Sequence, residues 1–212
     1  MRSFTVAIDG PAAAGKGTIG RALARRFGLE HMDTGLLYRA VSAILREEGW
    51  TGDTEHARRV AGRLGAADLA RPGLRCRQNS MDSSIVAAIP GVRAELLGLQ
   101  RRFARREGGA VLDGRDIATV VVPDAEVKLF VTATVEERAG RRQRELAASG
   151  TGVSLEEVLH DLNVRDDRDR KRGLAGLKLA DDALLLDTSK LSIEQAVDKA
   201  AAAVEQRFDA VR

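Results

Sequence analysis

The chemistry is concentrated first in Gly10-Pro11-Ala12-Ala13-Ala14-Gly15-Lys16-Gly17-Thr18. A triphosphate carries several clustered negative charges, and a backbone aims many N–H donors at it only where bulky side chains are absent. Gly10, Gly15 and Gly17 supply that close approach, and Lys16 adds a mobile point charge for the β and γ phosphates. The expected ligand is a nucleoside triphosphate, bound across all nine positions from Gly10 to Thr18.

In the usual phosphate loop Ser or Thr follows the lysine as a magnesium ligand, whereas here Gly17 intervenes and the hydroxyl arrives at Thr18. Small-molecule and nucleotide kinases tend to carry such a Gly-Lys-Gly-Thr loop, while GTPases and motor ATPases tend not to. The ordinary alternative, a glycine-rich turn that binds nothing, is disfavoured by the strand pattern before the loop and the helical pattern after it.

Three further stretches place polar residues where an acceptor could sit: Asp33-Thr34-Gly35 with Tyr38 and Arg39, Asp113-Gly114-Arg115-Asp116, and Arg165 to Arg172. Phosphoryl transfer rests on holding donor and acceptor in line while charge is neutralised, so several arginines are expected, and their planar fork grips phosphate bidentately. On a helix, Arg165, Asp169 and Arg172 share one face, which suits a phosphate and a sugar diol. By charge pattern alone the same run reads as a solvated, salt-bridge-laced face. Arg138, Arg141 and Arg142, ahead of a hinge at Ala148-Ser149-Gly150-Thr151-Gly152, could close over the triphosphate, or form an exposed basic face. His31, His56 and His160 are scattered, so no metal cluster is expected, and magnesium should arrive with the nucleotide.

The elements that must position these residues alternate. The apolar run Phe4 to Ile8 leads into the loop; a helix follows over 16–27, stopped by Gly28, then a strand over 29–32. Asp33-Thr34-Gly35 is expected as a loop, with a helix opening at Leu36 and running to about Glu48, Tyr38 and Arg39 lying on its first turn. Between Gly49 and Arg106 the pattern weakens: 57–69 reads as helical, Pro72-Gly73 as a break, and a long helix follows Pro90. Strands are expected over 110–112, 127–131 and 184–186, with charged Asp113 to Asp116 as a loop after the first of them. Capping boxes mark helix starts at Thr134 with Glu137, Ser154 with Glu157 and Ser192 with Gln195, the last opening a helix over 193–208. The alternation calls for an α/β fold, a parallel sheet flanked by helices, with ligands collecting at the carboxyl ends of its strands.

At 212 residues the chain suits one α/β domain with inserted pieces rather than two independent domains. The net charge is only +3, which favours a small anion over a polyanion. Clusters such as Arg101-Arg102 with Arg105-Arg106 could track a phosphate backbone, yet five Phe, one Trp and one Tyr leave little to stack bases on, so no nucleic-acid partner is expected. The lone Cys76 excludes an intrachain disulfide and suits a reducing compartment. No apolar run approaches the roughly 20 residues of a membrane span. A cytoplasmic monomer with no membrane partner is expected.

The motifs taken together resemble bacterial cytidylate kinases: Ile8-Asp9-Gly10-Pro11 through Thr18, Asp33-Thr34-Gly35 with Tyr38-Arg39, Leu112 to Asp116 with Thr119-Val120-Val121, Arg165 to Arg170, and Asp187-Thr188-Ser189. The resemblance implies a P-loop nucleoside monophosphate kinase fold over 1–212, with a monophosphate-binding insertion at 49–106 and a short lid at 141–155. It implies transfer of the γ phosphate of ATP to CMP or dCMP, with Lys16, Arg115 and Arg172 catalytic and Arg138, Arg141 and Arg142 on ATP. Thr34, Arg39, Arg115 and Arg172 would meet the acceptor phosphate, Arg165 with Asp169 the ribose, and Ser84, Arg93 and Asp116 the cytosine. Asp116 makes chemical sense there, since a carboxylate accepts from cytosine's exocyclic amine and repels the carbonyl of uracil. The stretch 51–79 and the missing proline before Leu177 depart from the family pattern. Rival readings are a related kinase acting on UMP, AMP or a non-nucleotide acceptor, and an ATP-dependent RNA-associated protein.

Overall fold

The computed structural model describes residues 4–171, 173 and 176–208. Arg172 therefore lies outside the described residues. Two compact units emerge, one formed by residues 1–33 and 101–212 and the other by residues 34–100.

The larger unit is built on five parallel strands: β1 (Thr5–Asp9), β2 (Glu30–Asp33), β3 (Ala110–Gly114), β4 (Val127–Thr132) and β5 (Leu184–Asp187). Their order is β2-β3-β1-β4-β5, which puts β1 at the centre with every residue buried, as its uninterrupted apolar run requires. The register pairs Asp9 with Gly114 and Asp33 with Asp113, so three carboxylates gather at the carboxyl ends of three neighbouring strands. β5 closes the sheet as an edge strand and leaves Leu184 and Leu185 exposed.

Helix α1 (Lys16–Phe27) buries Ile19 and Leu23 on a core with Val6, Ile8, Leu129 and Val131, and Gly28 ends it in the left-handed region at φ 66°. The later helices of this unit are α7 (Val135–Ala148), α8 (Leu155–Arg170) and α9 (Ile193–Phe208). Reciprocal capping boxes open α8 at Ser154 with Glu157 and α9 at Ser192 with Gln195. At α7 only half of the expected box forms. Thr134 Oγ1 accepts from the Glu137 amide, but the Thr134 amide donates to Ser189 Oγ at 2.9 Å. α7 and α8 pack through Ala139, Leu146, Val158 and Leu162, joined by Ala12 of the phosphate loop. The range 141–155 covers the second half of α7, its exit and the first residue of α8.

The smaller unit is helical, with α2 (Thr34–Glu47), α3 (Thr54–Gly62), α4 (Ala66–Leu69), α5 (Arg77–Val86) and most of α6 (Pro90–Ala104). Thr34 is already helical, so β2 passes directly into α2 and the expected loop at 33–35 does not exist. Tyr38 accordingly sits past the first turn. The expected helix over 57–69 is two, parted after Gly62. α5 has no counterpart in the sequence reading, because what it buries is Asn79, Ser80, Ser83, Ser84 and Val86, an inward face with almost no apolar signal. Asn79 secures it by donating to the carbonyls of Arg39 at 3.0 Å and Leu74 at 2.9 Å.

Candidate active site

The phosphate loop owes its shape to close backbone approach. A Cβ on Gly10 would lie 1.9 Å from the carbonyl oxygen of Val131 on β4, and φ at Gly10 is +147°, so a larger residue has neither space nor a suitable backbone. Ala13 at φ 60° and Gly15 at φ 101° turn the chain through left-handed conformations, the kind of backbone that forms concave anion-binding nests. No side chain caps α1 and no acidic residue stands in its first turn, leaving its positive end for an anion.

Lys16 is 6% exposed, and its Nζ donates across the loop to the Pro11 carbonyl at 2.7 Å. Burial pulls its pKa down to about 7; the charges of Arg115 and Arg165 push the same way, while Asp113 and Asp33 resist. Arg115 Nε donates to Asp169 Oδ2 at 2.7 Å, and Asp169 is buried at the inner side of α8. Burial opposes the Arg115 charge, but Asp169, with Asp166 and Asp113, outweighs it and raises the pKa, so the guanidinium stays charged. Asp116, also buried, immediately precedes a single π-helical turn, Ile117–Val121.

The arginines of α7 divide by role. Arg138 is buried: its Nη2 donates to Asp166 Oδ2 at 2.7 Å, its Nε to the Ala133 carbonyl and its Nη1 to the Ala12 carbonyl at 3.2 Å. Arg141 donates to the Ala14 carbonyl and to both the hydroxyl and carbonyl of Thr188. These two hold the backbone of the phosphate loop. Arg142 is half-buried and pairs with Glu145 at 2.8 Å. Arg101, considered above for nucleic acid, donates instead to the carbonyls of Val120 and Val121.

In the smaller unit, α2 carries buried Thr34 and half-buried Tyr38 and Arg39, α5 carries Ser84, and α6 carries Arg93. Arg93 Nη1 donates to the Tyr38 hydroxyl at 3.5 Å, and the Ser84 hydroxyl donates back to the Met81 carbonyl at 2.7 Å.

Sequence reasoning gave no role of their own to three groups that find partners here, His31, Asp166 and Asp9. His31 Nε2 lies 2.7 Å from Asp113 Oδ2, with Gly20 making room, since a Cβ there would come within 2.8 Å of the ring. Asp166 anchors Arg138, and Asp9 binds the π turn. Only Asp9 had a local signal, a lone carboxylate ending an apolar strand.

Among the described residues no three His, Cys, Asp or Glu side chains gather as a metal site. The oxygen donors around the loop are the exposed Thr18 at the start of α1 and the carboxylates Asp33 and Asp113 that act on Lys16. That donor set fits an ion brought in on phosphate oxygens. No described helix is long and apolar enough to cross a membrane.

A parallel sheet with this loop leaving its central strand defines a P-loop kinase fold. Solved structures share the fold: a gluconokinase from Sinorhizobium meliloti at TM-score 0.54 and 15% identity, covering 98% of this chain and 95% of that one, and an uncharacterized protein from Eubacterium ventriosum at TM-score 0.57 and 12% identity, covering 97% and 100%. The family model for cytidylate kinase matches residues 6–206. Proteins named cytidylate kinase from Cereibacter sphaeroides and Methylocella silvestris are 60% and 52% identical over 206 and 208 residues, covering 96% and 98% of this chain and 96% of each relative. The chain belongs to the cytidylate kinase family.

Proposed function

We propose that this enzyme transfers the γ phosphate of ATP to CMP and dCMP, giving the diphosphates and ADP. The observation that carries the reading is the meeting, in the larger unit, of a triphosphate cradle with a second cationic centre: Arg115 lies within electrostatic reach of Lys16 and is held by Asp169. Two cations of different kinds suit an in-line transfer in which charge must be neutralised on both donor and acceptor.

Gly10 to Thr18 would wrap the triphosphate, with Lys16 on the β and γ phosphates and Arg138 and Arg141 supporting the loop's carbonyls. Magnesium would ride on the phosphate oxygens, with Thr18 and the Asp33 and Asp113 carboxylates as protein-side donors, and would supply further charge neutralisation. Arg115, Thr34 and Arg39, together with Arg172, would take the acceptor phosphate; Arg165 and Asp169 the ribose; Ser84, Arg93 and Asp116 the base. Arg142 and the rest of 141–155 would serve as lid and 49–106 as the acceptor-binding insertion. The enzyme would act as a cytoplasmic monomer and without nucleic acid, the last supported by the commitment of Arg101 to the Val120 and Val121 carbonyls.

An ATP-coupled assay across CMP, dCMP, UMP, AMP and GMP tests this directly. CMP and dCMP should lead with UMP well behind. Equal turnover of UMP would falsify the role given to Asp116, and turnover of AMP or GMP above CMP would remove the acceptor assignment altogether.

A further inference from the structure

Asp9 is 1% exposed, at the last position of β1 and directly before Gly10. Its carboxylate is spent on a segment over a hundred residues away in sequence. Oδ1 accepts from the Ile117 amide at 2.7 Å and Oδ2 from the Ala118 amide at 2.8 Å, the first two amides of the π turn. At the other end of the turn, Arg101 on the last turn of α6 donates from Nε to the Val121 carbonyl and from Nη2 to the Val120 carbonyl, both at 3.0 Å. An anion thus sits at the amide end and a cation at the carbonyl end, each matched to the peptide dipoles it faces. The turn itself closes on the residue before it, since the Val120 and Val121 amides donate to the Asp116 carbonyl.

Burial raises the pKa of Asp9 to about 6 against the two amides, and the neighbouring Asp116 charge adds to the rise. A buried carboxylate next to a second one is a costly choice for a strand end. Among side chains an ionised carboxylate alone offers two acceptor oxygens and no donor, so it can serve both amides at once, and its use here points to what the turn carries.

We propose that Asp9 and Arg101 are positioning residues for recognition of the acceptor base: they clamp the π turn at its two ends and so fix Asp116, tying the base reader to the root of the phosphate loop. The proposal rests on the reading of Asp116 as the group that meets cytosine. Single-turn π segments recur at functional sites, where local geometry must be held against its own preference. Asp9 commits both oxygens to the turn and acts on the base through Asp116.

Steady-state kinetics with CMP and UMP, and with ATP varied separately, test it on the full-length enzyme. Asp9→Asn keeps the size but replaces one acceptor oxygen by an NH₂ that confronts an amide. It should lower the CMP:UMP ratio of kcat/KM about tenfold, the loss expected for one charge-assisted bond, through KM for CMP. KM for ATP should stay within about twofold. Arg101→Ala, at an exposed side chain, should lower the same ratio about threefold and decides alone if the first variant does not fold. The double variant Asp9→Asn, Asp116→Asn should show the ratio of Asp116→Asn by itself. An unchanged ratio in the folded variants, or equal losses for CMP and UMP, would overturn the clamp. A CMP preference that survives Asp116→Asn would instead remove the base-reading assignment on which it rests.

Discussion

Lys16 is held by the fold in a condition that a bound triphosphate should reverse. Burial takes its pKa from 10.5 down to about 7. Between those values the unfolded chain binds a proton that the folded, unliganded protein does not, so stability of the free protein rises as pH climbs through the window. Below it both states are charged, and the buried ammonium costs on the order of 5 kcal/mol. A triphosphate in the loop sets several negative charges beside Nζ and returns the pKa upward, which means that ATP binding takes up a proton above neutrality. With half-protonation near 7, the protonated fraction of free enzyme falls about eightfold from about pH 7.5 to about pH 8.5, and Kd for ATP should rise by that factor. Near pH 8 the uptake should reach about 0.9 proton per ATP, read by isothermal titration calorimetry in two buffers of different ionisation enthalpy. Lys16→Met should abolish the uptake, flatten the pH dependence and raise the Tm of the unliganded protein at neutral pH. Proton-neutral ATP binding by the unaltered enzyme, with a flat Kd over that range, would refute the claim that the cradle holds its lysine discharged.

Two further perturbations probe the scaffold behind the loop. Arg138→Ala leaves the buried Asp166 carboxylate without its charge partner and should cost about 3–5 kcal/mol in urea unfolding; Arg138→Met combined with Asp166→Leu should recover most of it, and failure to recover would locate the loss at the Ala12 carbonyl instead. Gly20→Ala drives a methyl against His31, which Asp113 holds in place, and should cost about 1 kcal/mol; the cost should vanish in a His31→Ala background, and an equal cost in both backgrounds would exclude crowding as its source.

What the sequence shows of this fold is what local physics encodes. The closeness of the loop is written in Gly10, because only hydrogen fits against the Val131 carbonyl, and the bounds of α9 follow from the Ser192–Gln195 box and regular apolar spacing. α5 was illegible because its buried face is serine and asparagine, whose reason for burial is the Arg39 and Leu74 carbonyls rather than apolar contact. The half-formed box at Thr134 shows the same limit: its spacing is right, but a serine 55 positions away takes the amide.

The charged run at the end of α8 shows why site and scaffold were harder to separate. One side of the helix is the solvated face that the charge pattern describes, while the other turns inward, and its reading as a phosphate and ribose site belongs to the proposal. Asp167 and Arg170 pair in solvent at 2.8 Å, a bond worth little. Asp166 and Asp169 turn inward, each to an arginine from a different part of the chain. Sequence spacing separates the two sides but names no inward partner. Those partners, Arg138 holding Ala12 and Arg115 acting electrostatically on Lys16, join α8 to the phosphate loop, so a change at Asp166 or Asp169 should register first in nucleotide handling and only second in the helix itself.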